Sequence, residues 1–490
     1  MDFRSQWPAV LSLHYTNCYA HSLGPSLILL RIMPIQAPDL ASPPGDALWF
    51  LPLGGCGEIG MNLNLFGHDG VWLMVDCGIT FEKAANGQNR VEMPDPGPAS
   101  AALSRLEAIV ATHAHEDHIG ALPYLYSRFP KTIYTTPFTG GVIQEKFKGK
   151  ALRPNINWVN SYGSRQIGPF RVTWLPITHS TPETHALLIE TPAGNILHTA
   201  DWKIDSTPVV GPAFQSQQFS SKTLPPITAL VIDSTNALKP GHSKSEQLIS
   251  EGLRRLIEQT QGRVIIGCFA SNIARLQSIG SAAVKTDRHL ALAGRSMTRM
   301  TRIAKQAGYL KHEFPEIPLS DLGYLPNANA LVIATGSQGE QGAALSRLAV
   351  DEHPDFALSR DDLVILSTKT IPGNEAAVTR MIKGLRAQGA QVIAADDHDE
   401  LNLHASGHPC QEELDHIYNT VHPYISVPVH GEPEHLSASA ARARQHQIPH
   451  QLVGKNGDLF VLSGHPSIKR GCLKAGRLKY DPNNKTLIQV

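Results

Sequence analysis

Long hydrophobic runs are what this chain most plainly lacks: no stretch approaches the roughly 20 consecutive apolar residues needed to cross a bilayer. Near the start, Ser26-Leu27-Ile28-Leu29-Leu30 is shorter than the apolar core of a secretory signal and has no basic stretch before it. Export and membrane insertion are therefore not expected, and a cytoplasmic protein is. Paired cysteines are missing too. Cys18, Cys56, Cys77, Cys268, Cys410 and Cys472 are scattered without a Cys-x-x-Cys, the pattern of reduced, mostly buried thiols rather than of a disulfide framework. Neither sign of charge is in excess, with 43 Lys+Arg against 43 Asp+Glu, so no overall basic field advertises a nucleic-acid partner. Such a partner is not excluded, because bound divalent cations and a local groove can attract phosphates to a neutral protein. The glycine-rich Gly54-Gly55-Cys56-Gly57-Glu58-Ile59-Gly60 lacks the Lys-Ser/Thr and the following helix of a phosphate cradle, and is expected to be a tight turn near an active site.

What is present is a cluster. In Thr112-His113-Ala114-His115-Glu116-Asp117-His118-Ile119-Gly120, three imidazoles and a metal-capable carboxylate fall within six residues, a density that packing does not explain. Leu106–Ala111 before it reads as a short apolar strand, and Ile119–Leu125 after it could open a helix, which puts the cluster on a loop. Imidazole and carboxylate donors suit zinc, manganese or iron, and a loop can turn alternate residues toward two centres at once.

With 490 residues, 42% of them hydrophobic, the chain can bury a large core in two domains or one composite. Residues 1–45 end in the turn-rich Ala37–Gly45 and are expected to be a disordered extension, with Met33 a candidate start. Strands are expected at Leu48–Leu53, Met61–Phe66 and Val71–Asp76, in an antiparallel meander. Asp76 could orient a metal ligand or simply cap a turn. Ala99–Glu107 is amphipathic, Ile133–Thr136 reads as a strand and Phe138–Lys148 as a helix. Phe170–Ile177 runs into His179, and the hairpin Ala186–Glu190 with Asn195–Thr199 ends at Asp201. Either residue alone would be an ordinary polar group at a core edge; beside the cluster, a ligand role is the better reading.

A His-x-His-x-Asp-His loop followed by a His and an Asp at strand ends resembles the metallo-β-lactamase superfamily. That resemblance implies an αββα sandwich with a di-metal site along one edge, and leaves lactam, thioester and phosphodiester hydrolysis all open. Downstream, strands alternating with helical segments such as Lys244–Gln259 and Asn374–Gln388 indicate an inserted α/β unit with a largely parallel sheet. Lactamase-like sequence then resumes at His404-Ala405-Ser406-Gly407-His408, followed by a helix at Gln411–Asn419, a strand at Tyr424–Pro428, and Val429-His430-Gly431-Glu432.

Asp233, His408 and His430 resemble the three motifs of the β-CASP branch, and with Gly336-Ser337-Gln338-Gly339-Glu340 and Ile371-Pro372-Gly373-Asn374-Glu375 the chain is similar to the ribonuclease J family from about Leu48 to Ser463. Ala200 departs from it where the family often has Gly, and Gln341-Gly342 where Pro-Met is common. The resemblance implies a metallo-β-lactamase domain in two parts, 46–240 and 406–463, a β-CASP domain over 241–405, and a tail over 464–490 that begins a C-terminal region aiding dimerisation. It further implies one divalent metal on His113, His115 and His179, another on Asp117, His118 and His430, and Asp201 bridging; zinc is expected, with manganese as the alternative. Asp117, Asp233 and His408 would be catalytic, and Ser406, Gly407 and His408 would meet the scissile phosphate or a terminal 5′-phosphate. The lesser alternative is that Ser406-Gly407 is only a turn and Asp233 a helix cap. The implied activity is 5′-to-3′ exonuclease and endonuclease cleavage of single-stranded, preferably 5′-monophosphorylated RNA in RNA processing and decay, with a homodimer left open. A hydrolase of small esters or thioesters would lack the inserted unit, and an RNA-binding scaffold with little activity would be expected to lack a ligand.

Overall fold

The computed structural model describes residues 38–83, 89–310 and 316–490. The expectations for the first residues, including Met33 and Cys18, lie outside the described residues except at 38–45. There, Leu40 is buried and its carbonyl accepts the Trp72 indole N–H at 2.7 Å.

Two sheets face each other. The first has eight strands in the order Ser467–Lys469, Leu459–Val461, Trp49–Gly54, Leu63–His68, Val71–Val75, Leu106–Val110, Ile133–Thr135, Ile156–Trp158. The second has seven, in the order His450–Gln451, Ile425–Val429, Ala229–Asp233, Gly194–His198, His185–Thr191, Phe170–Pro176, Ser164–Ile167. Phe50, Phe66, Leu73 and Val75 of the first pack against Val172, Trp174, Leu187 and Val231 of the second. Because successive strand residues point to opposite faces, Trp49, Leu51 and Leu53 face the other way, into a core that includes Phe138 and Ile143 of the helix Pro137–Lys146. In the second sheet Leu230 and Ile232 turn outward onto Leu414 and Tyr418 of the helix Gln411–Val421. Where both faces are covered, as at Val71–Val75 and Ala229–Asp233, the strands read as near-continuous apolar runs, whereas Phe170–Pro176 alternates. The result is the αββα sandwich.

The third sheet is parallel throughout, in the order Glu316–Ile317, His289–Ala293, Ala330–Ala334, Val264–Gly267, Leu363–Leu366, Gln391–Ala394. It forms the inserted α/β unit with a parallel sheet, and the helices Glu246–Gln259 and Glu375–Ala387 fall where periodicity expects them. Ser245 caps the first by accepting the Gln247 N–H at 3.1 Å. A fourth sheet joins Thr80–Lys83 and Asn89–Pro94 to the C-terminal strands Arg477–Asp481 and Thr486–Gln489. No helix among the described residues is long and apolar enough to cross a membrane.

Some boundaries differ from expectation. The helix expected to open at Ile119 begins at Glu116, which places Asp117 and His118 within its first turn. The second strand starts at Leu63 because Met61, at φ 51°, turns the chain first. Of the amphipathic Ala99–Glu107, only Ser100–Leu103 is α-helix.

Candidate metal centre

Strand direction assembles the site. Ile425–Val429, Ala229–Asp233 and Gly194–His198 are parallel neighbours, and two antiparallel steps make Phe170–Pro176 codirectional with them. His430, Asp233, Asp201 and His179 therefore all emerge at the same end of one sheet. Val71–Val75 and Leu106–Val110 are parallel in the facing sheet and deliver Asp76 and the histidine loop. Asp76, Ala200 and His430 have φ of 64°, 51° and 52°, so the chain turns sharply where each strand ends. The loop backbone is clamped from below. Asn62 N–H donates to Asp117 O at 2.9 Å, Cys77 N–H to His118 O at 2.6 Å and Ile79 N–H to Glu116 O at 3.0 Å. Gly78 permits this approach, since a Cβ there would lie 1.7 Å from Asp117 O.

All seven expected ligands converge in two groups. In the first, His115 Nδ1 lies 3.2 Å from His113 Nε2 and 3.0 Å from His179 Nε2, with Asp201 Oδ2 at 3.8 and 3.7 Å from His113 and His179. In the second, His430 Nε2 lies 3.1 Å from Asp117 Oδ2, and His118 Nε2 is 3.6 Å from Asp117 and 3.2 Å from Asp201. Asp201 belongs to both groups, and within each the donor atoms lie within 4.8 Å of one another.

The outward ring nitrogens are held by the protein. His113 Nδ1 meets Thr112 Oγ1 at 3.0 Å, His118 Nδ1 meets Asp76 Oδ2 at 2.7 Å, His179 Nδ1 meets Gly407 O at 2.6 Å, and His430 Nδ1 meets Thr235 Oγ1 at 2.6 Å. Metal-binding histidines characteristically have this second partner, which fixes tautomer and ring orientation. Asp76 is thus an orienting group, and it also accepts from Thr112 N–H at 2.8 Å.

Charge is arranged to match. Burial is the largest influence on His113, His115 and His179 and keeps all three neutral, with His115 brought down to about 4. Burial would also protonate Asp117 and Asp201, but His118 and His430 together, joined by His408 at Asp201, outweigh it and hold both below the usual carboxylate range. Neutral imidazoles and ionised carboxylates are the forms that bind cations, and the first group already has them, while His118 and His430 hold protons that an entering cation displaces. The residues present fit a pair of divalent ions.

Beside this lies the third cluster. His408 Nδ1 is 2.8 Å from Asp233 Oδ2, and Asp233 Oδ1 accepts the Thr235 hydroxyl at 2.8 Å. Ser406-Gly407-His408 is pinned by Asn236, whose amide donates to Ser406 Oγ at 2.8 Å and His408 O at 3.1 Å, and by Ser243, whose hydroxyl donates to His408 O at 2.5 Å. A Cβ on Gly407 would lie 2.4 Å from the His179 ring. Burial lowers the proton affinity of His408, but Asp233 and then Asp201 outweigh it, so its pKa is raised. Thr112, Thr235, Asn236 and Ser243 were not singled out by the sequence. Their only signal is adjacency to, or closure in space upon, a ligand-bearing strand end. The glycine-rich turn sits at the site, with Gly55 O accepting the His430 N–H at 2.6 Å.

Three family models match the chain: the metallo-beta-lactamase superfamily over residues 61–226, the ribonuclease J beta-CASP domain over 261–385, and the Zn-dependent metallo-hydrolase RNA specificity domain over 401–453. The chain is 40% identical over 428 residues to ribonuclease J of Sinorhizobium meliloti, covering 86% of this chain and 75% of that one. It is 36% identical to ribonuclease J of Thermus thermophilus, covering 89% and 78%. A crystal structure of a protein of unknown function from Enterococcus faecalis V583 superposes with a TM-score of 0.60 at 16% identity, over 85% of this chain and all of that one, a likeness of fold.

Proposed function

We propose, for a chain that belongs to the ribonuclease J family and is a metal-dependent, RNA-binding ribonuclease, that the convergent donors hold two zinc ions and that the site degrades single-stranded RNA from its 5′ end. His113, His115 and His179 would hold one ion, Asp117, His118 and His430 the other, and Asp201 would bridge them. A nitrogen-rich donor set favours zinc over manganese. When bound, such ions acidify a water and offset charge on the reacting phosphate.

The chain's own groups supply the rest. His408, turned by Asp233 and with a raised proton affinity, is suited to contact a phosphate oxygen as imidazolium or to protonate the leaving 3′-oxygen. Asp233 orients it and balances its charge. Ser406 and Gly407 would meet the phosphate of a 5′-monophosphorylated end, and the absence of a side chain at 407 lets this turn close against the His179 ring beside the metal donors. Asp117 would serve as a ligand and, being ionised, would accept a hydrogen bond that orients the attacking water. The single observation that carries this reading is that seven donors from strand ends up to 317 residues apart, His113 to His430, meet around Asp201.

The same reading assigns residues 46–240 and 406–463 to the hydrolase half, 241–405 to the β-CASP domain and 464–490 to the start of a dimer-supporting C-terminal region. It includes endonuclease cleavage, a cytoplasmic setting, and roles in rRNA processing and mRNA decay. With 5′-labelled, 5′-monophosphorylated RNA, labelled mononucleotide is the expected early product. Labelled fragments shortened progressively from the 3′ end would refute the direction, and decay undiminished by a chelator would refute the metal.

A further inference from the structure

Between Glu145 and Glu183 the chain has no acidic residue but six cationic ones: Lys146, Lys148, Lys150, Arg153, Arg165 and Arg171. Carboxylates occupy three of them, since Lys146 pairs with Glu116, Lys148 with Glu145 and Arg171 with Glu190. Lys150 lies 5.3 Å over the Tyr124 ring. Arg153 and Arg165 donate only to backbone carbonyls, Arg153 to Phe147 at 3.4 Å and Arg165 to Ser164 at 3.0 Å and Trp158 at 3.2 Å, and neither has a carboxylate partner among the described residues.

This segment includes Ile156–Trp158, the last strand of the eight-stranded sheet, which is paired on one side only. It carries two exposed aromatic rings, Trp158 at 42% and Tyr162 at 55% exposure. The indole lies on the helix Pro137–Lys146 at Gly140, where a Cβ would come within 2.1 Å of it. One side of the ring is therefore fixed against the helix while much of the residue stays open. Beside Gly140, Gly141 and Arg153 help line a cavity of about 340 Å³ with Glu145, Lys148 and Arg302. There a single carboxylate, Glu145, faces Lys148 at 2.5 Å, Arg302 at 2.5 Å and Arg299 at 3.6 Å, so positive charge is in excess.

An indole held from one side and a second exposed ring four residues on, beside unpaired guanidinium groups, are elements that bind single strands without reading sequence: bases stack on the rings and phosphates meet the cations. An apolar protein partner would not call for the cations, and cations placed only to protect a free sheet edge would not call for the exposed rings. We propose that Trp158, Tyr162, Arg153 and Arg165 form a second surface for single-stranded RNA outside the metal centre, holding the body of a long substrate while its end is cut. The proposal rests on the ribonuclease reading of the metal centre, and the test separates the two.

The metal-loaded full chain is assayed on 5′-monophosphorylated oligouridines of 4 and 24 nucleotides, the shorter being a substrate for the metal centre alone. In the double variant Trp158→Ala/Tyr162→Ala, KM for the 24-mer is expected to rise at least about fivefold. Its kcat, and both constants for the 4-mer, should stay within about twofold of wild type. Trp158→Phe/Tyr162→Phe, which keeps the rings, should restore KM. Arg153→Ala/Arg165→Ala should reduce the dependence of log(1/KM) on log salt for the 24-mer by about 1.4, the contribution of two phosphate contacts on a single strand. An unchanged KM for the 24-mer would overturn the proposal. Equal losses on both lengths, or a loss that the Phe variants do not recover, would show a structural role and overturn it equally. A wild-type protein that cuts neither RNA would bring down the reading of the metal centre, and the surface with it.

Discussion

On one side of Asp201, His113, His115 and His179 face one another with no carboxylate of their own; on the other, His118 and His430 share Asp117. Burial lowers the proton affinity of every imidazole involved. In the first group nothing outweighs it, and the rings are neutral. In the second, Asp201 and Asp117 outweigh it, with Asp76 adding to their effect on His118 and Asp233 on His430, so that His118 lies well above its ordinary value and His430 rises to about 9. The same residue type thus stands ready for a cation in one half and carries a proton in its place in the other. The contrast follows from where the carboxylates lie, not from how deeply the histidines are buried.

The largest effects should come from removing what the halves share. Asp201→Ala takes away the bridging carboxylate and is expected to lose both metals and at least about two orders of magnitude in rate on RNA, with the fold retained. His430→Ala should lose a comparable rate but keep one metal equivalent per chain, held by His113, His115 and His179. Elemental analysis after dialysis reads both. Two equivalents retained in His430→Ala would mean that His430 is no ligand, and none retained would mean that the halves do not bind independently.

A smaller effect concerns protons. Because the pKa values of His118 and His430 are raised, both carry protons at pH 7 without metal, and a cation entering the second half must displace them. Affinity there should therefore rise with pH toward about 9. The first half, neutral from well above pH 4, should show little such dependence between pH 6 and 9. Calorimetry in buffers of different ionisation enthalpy gives the protons released per ion. Wild type should release them on filling one half of the site, and His430→Ala, which keeps only the first half, should release almost none. Equal release from both halves would remove the distinction.

How much of this the sequence carried depended on locality. His113, His115, Asp117 and His118 were legible because one loop holds them, and His179, Asp201 and His430 because each ends an apolar strand whose direction its neighbours impose. The family resemblance was needed to join His430 to residues more than 300 positions earlier. Asp76 was undecidable between orienting and capping, since the choice depends on parallel pairing with a strand 30 residues on, Val71–Val75 with Leu106–Val110. Thr235 and Asn236 carry no signal of their own, because hydroxyl and amide side chains after strands are common, and only closure of His430 and Ser406–His408 against them gives them a task. The early helix start at Glu116 was hidden by an apolar pattern that begins only at Ile119.

The smallest expected effect lies at the turn that presents Asp201 to both halves. Ala200 has φ 51° where the family often has glycine, and an alanine in that region costs about 1–2 kcal/mol. The turn is held nonetheless: Ala200 N–H donates to His198 Nδ1 at 3.0 Å, and the Thr199 hydroxyl donates to Ala200 O at 2.8 Å. Ala200→Gly removes the backbone strain but frees the unfolded chain by about 0.4–1 kcal/mol. The difference favours the folded state by roughly 0.5 kcal/mol, a rise in Tm of only about 0.5 °C for a chain of this size. Since Asp201 serves both groups, metal content should remain at two and proton release should not change. A fall in Tm would mean that the buried methyl group contributes more through packing than its backbone angle costs, and that this chain has adapted the turn to alanine rather than tolerated it.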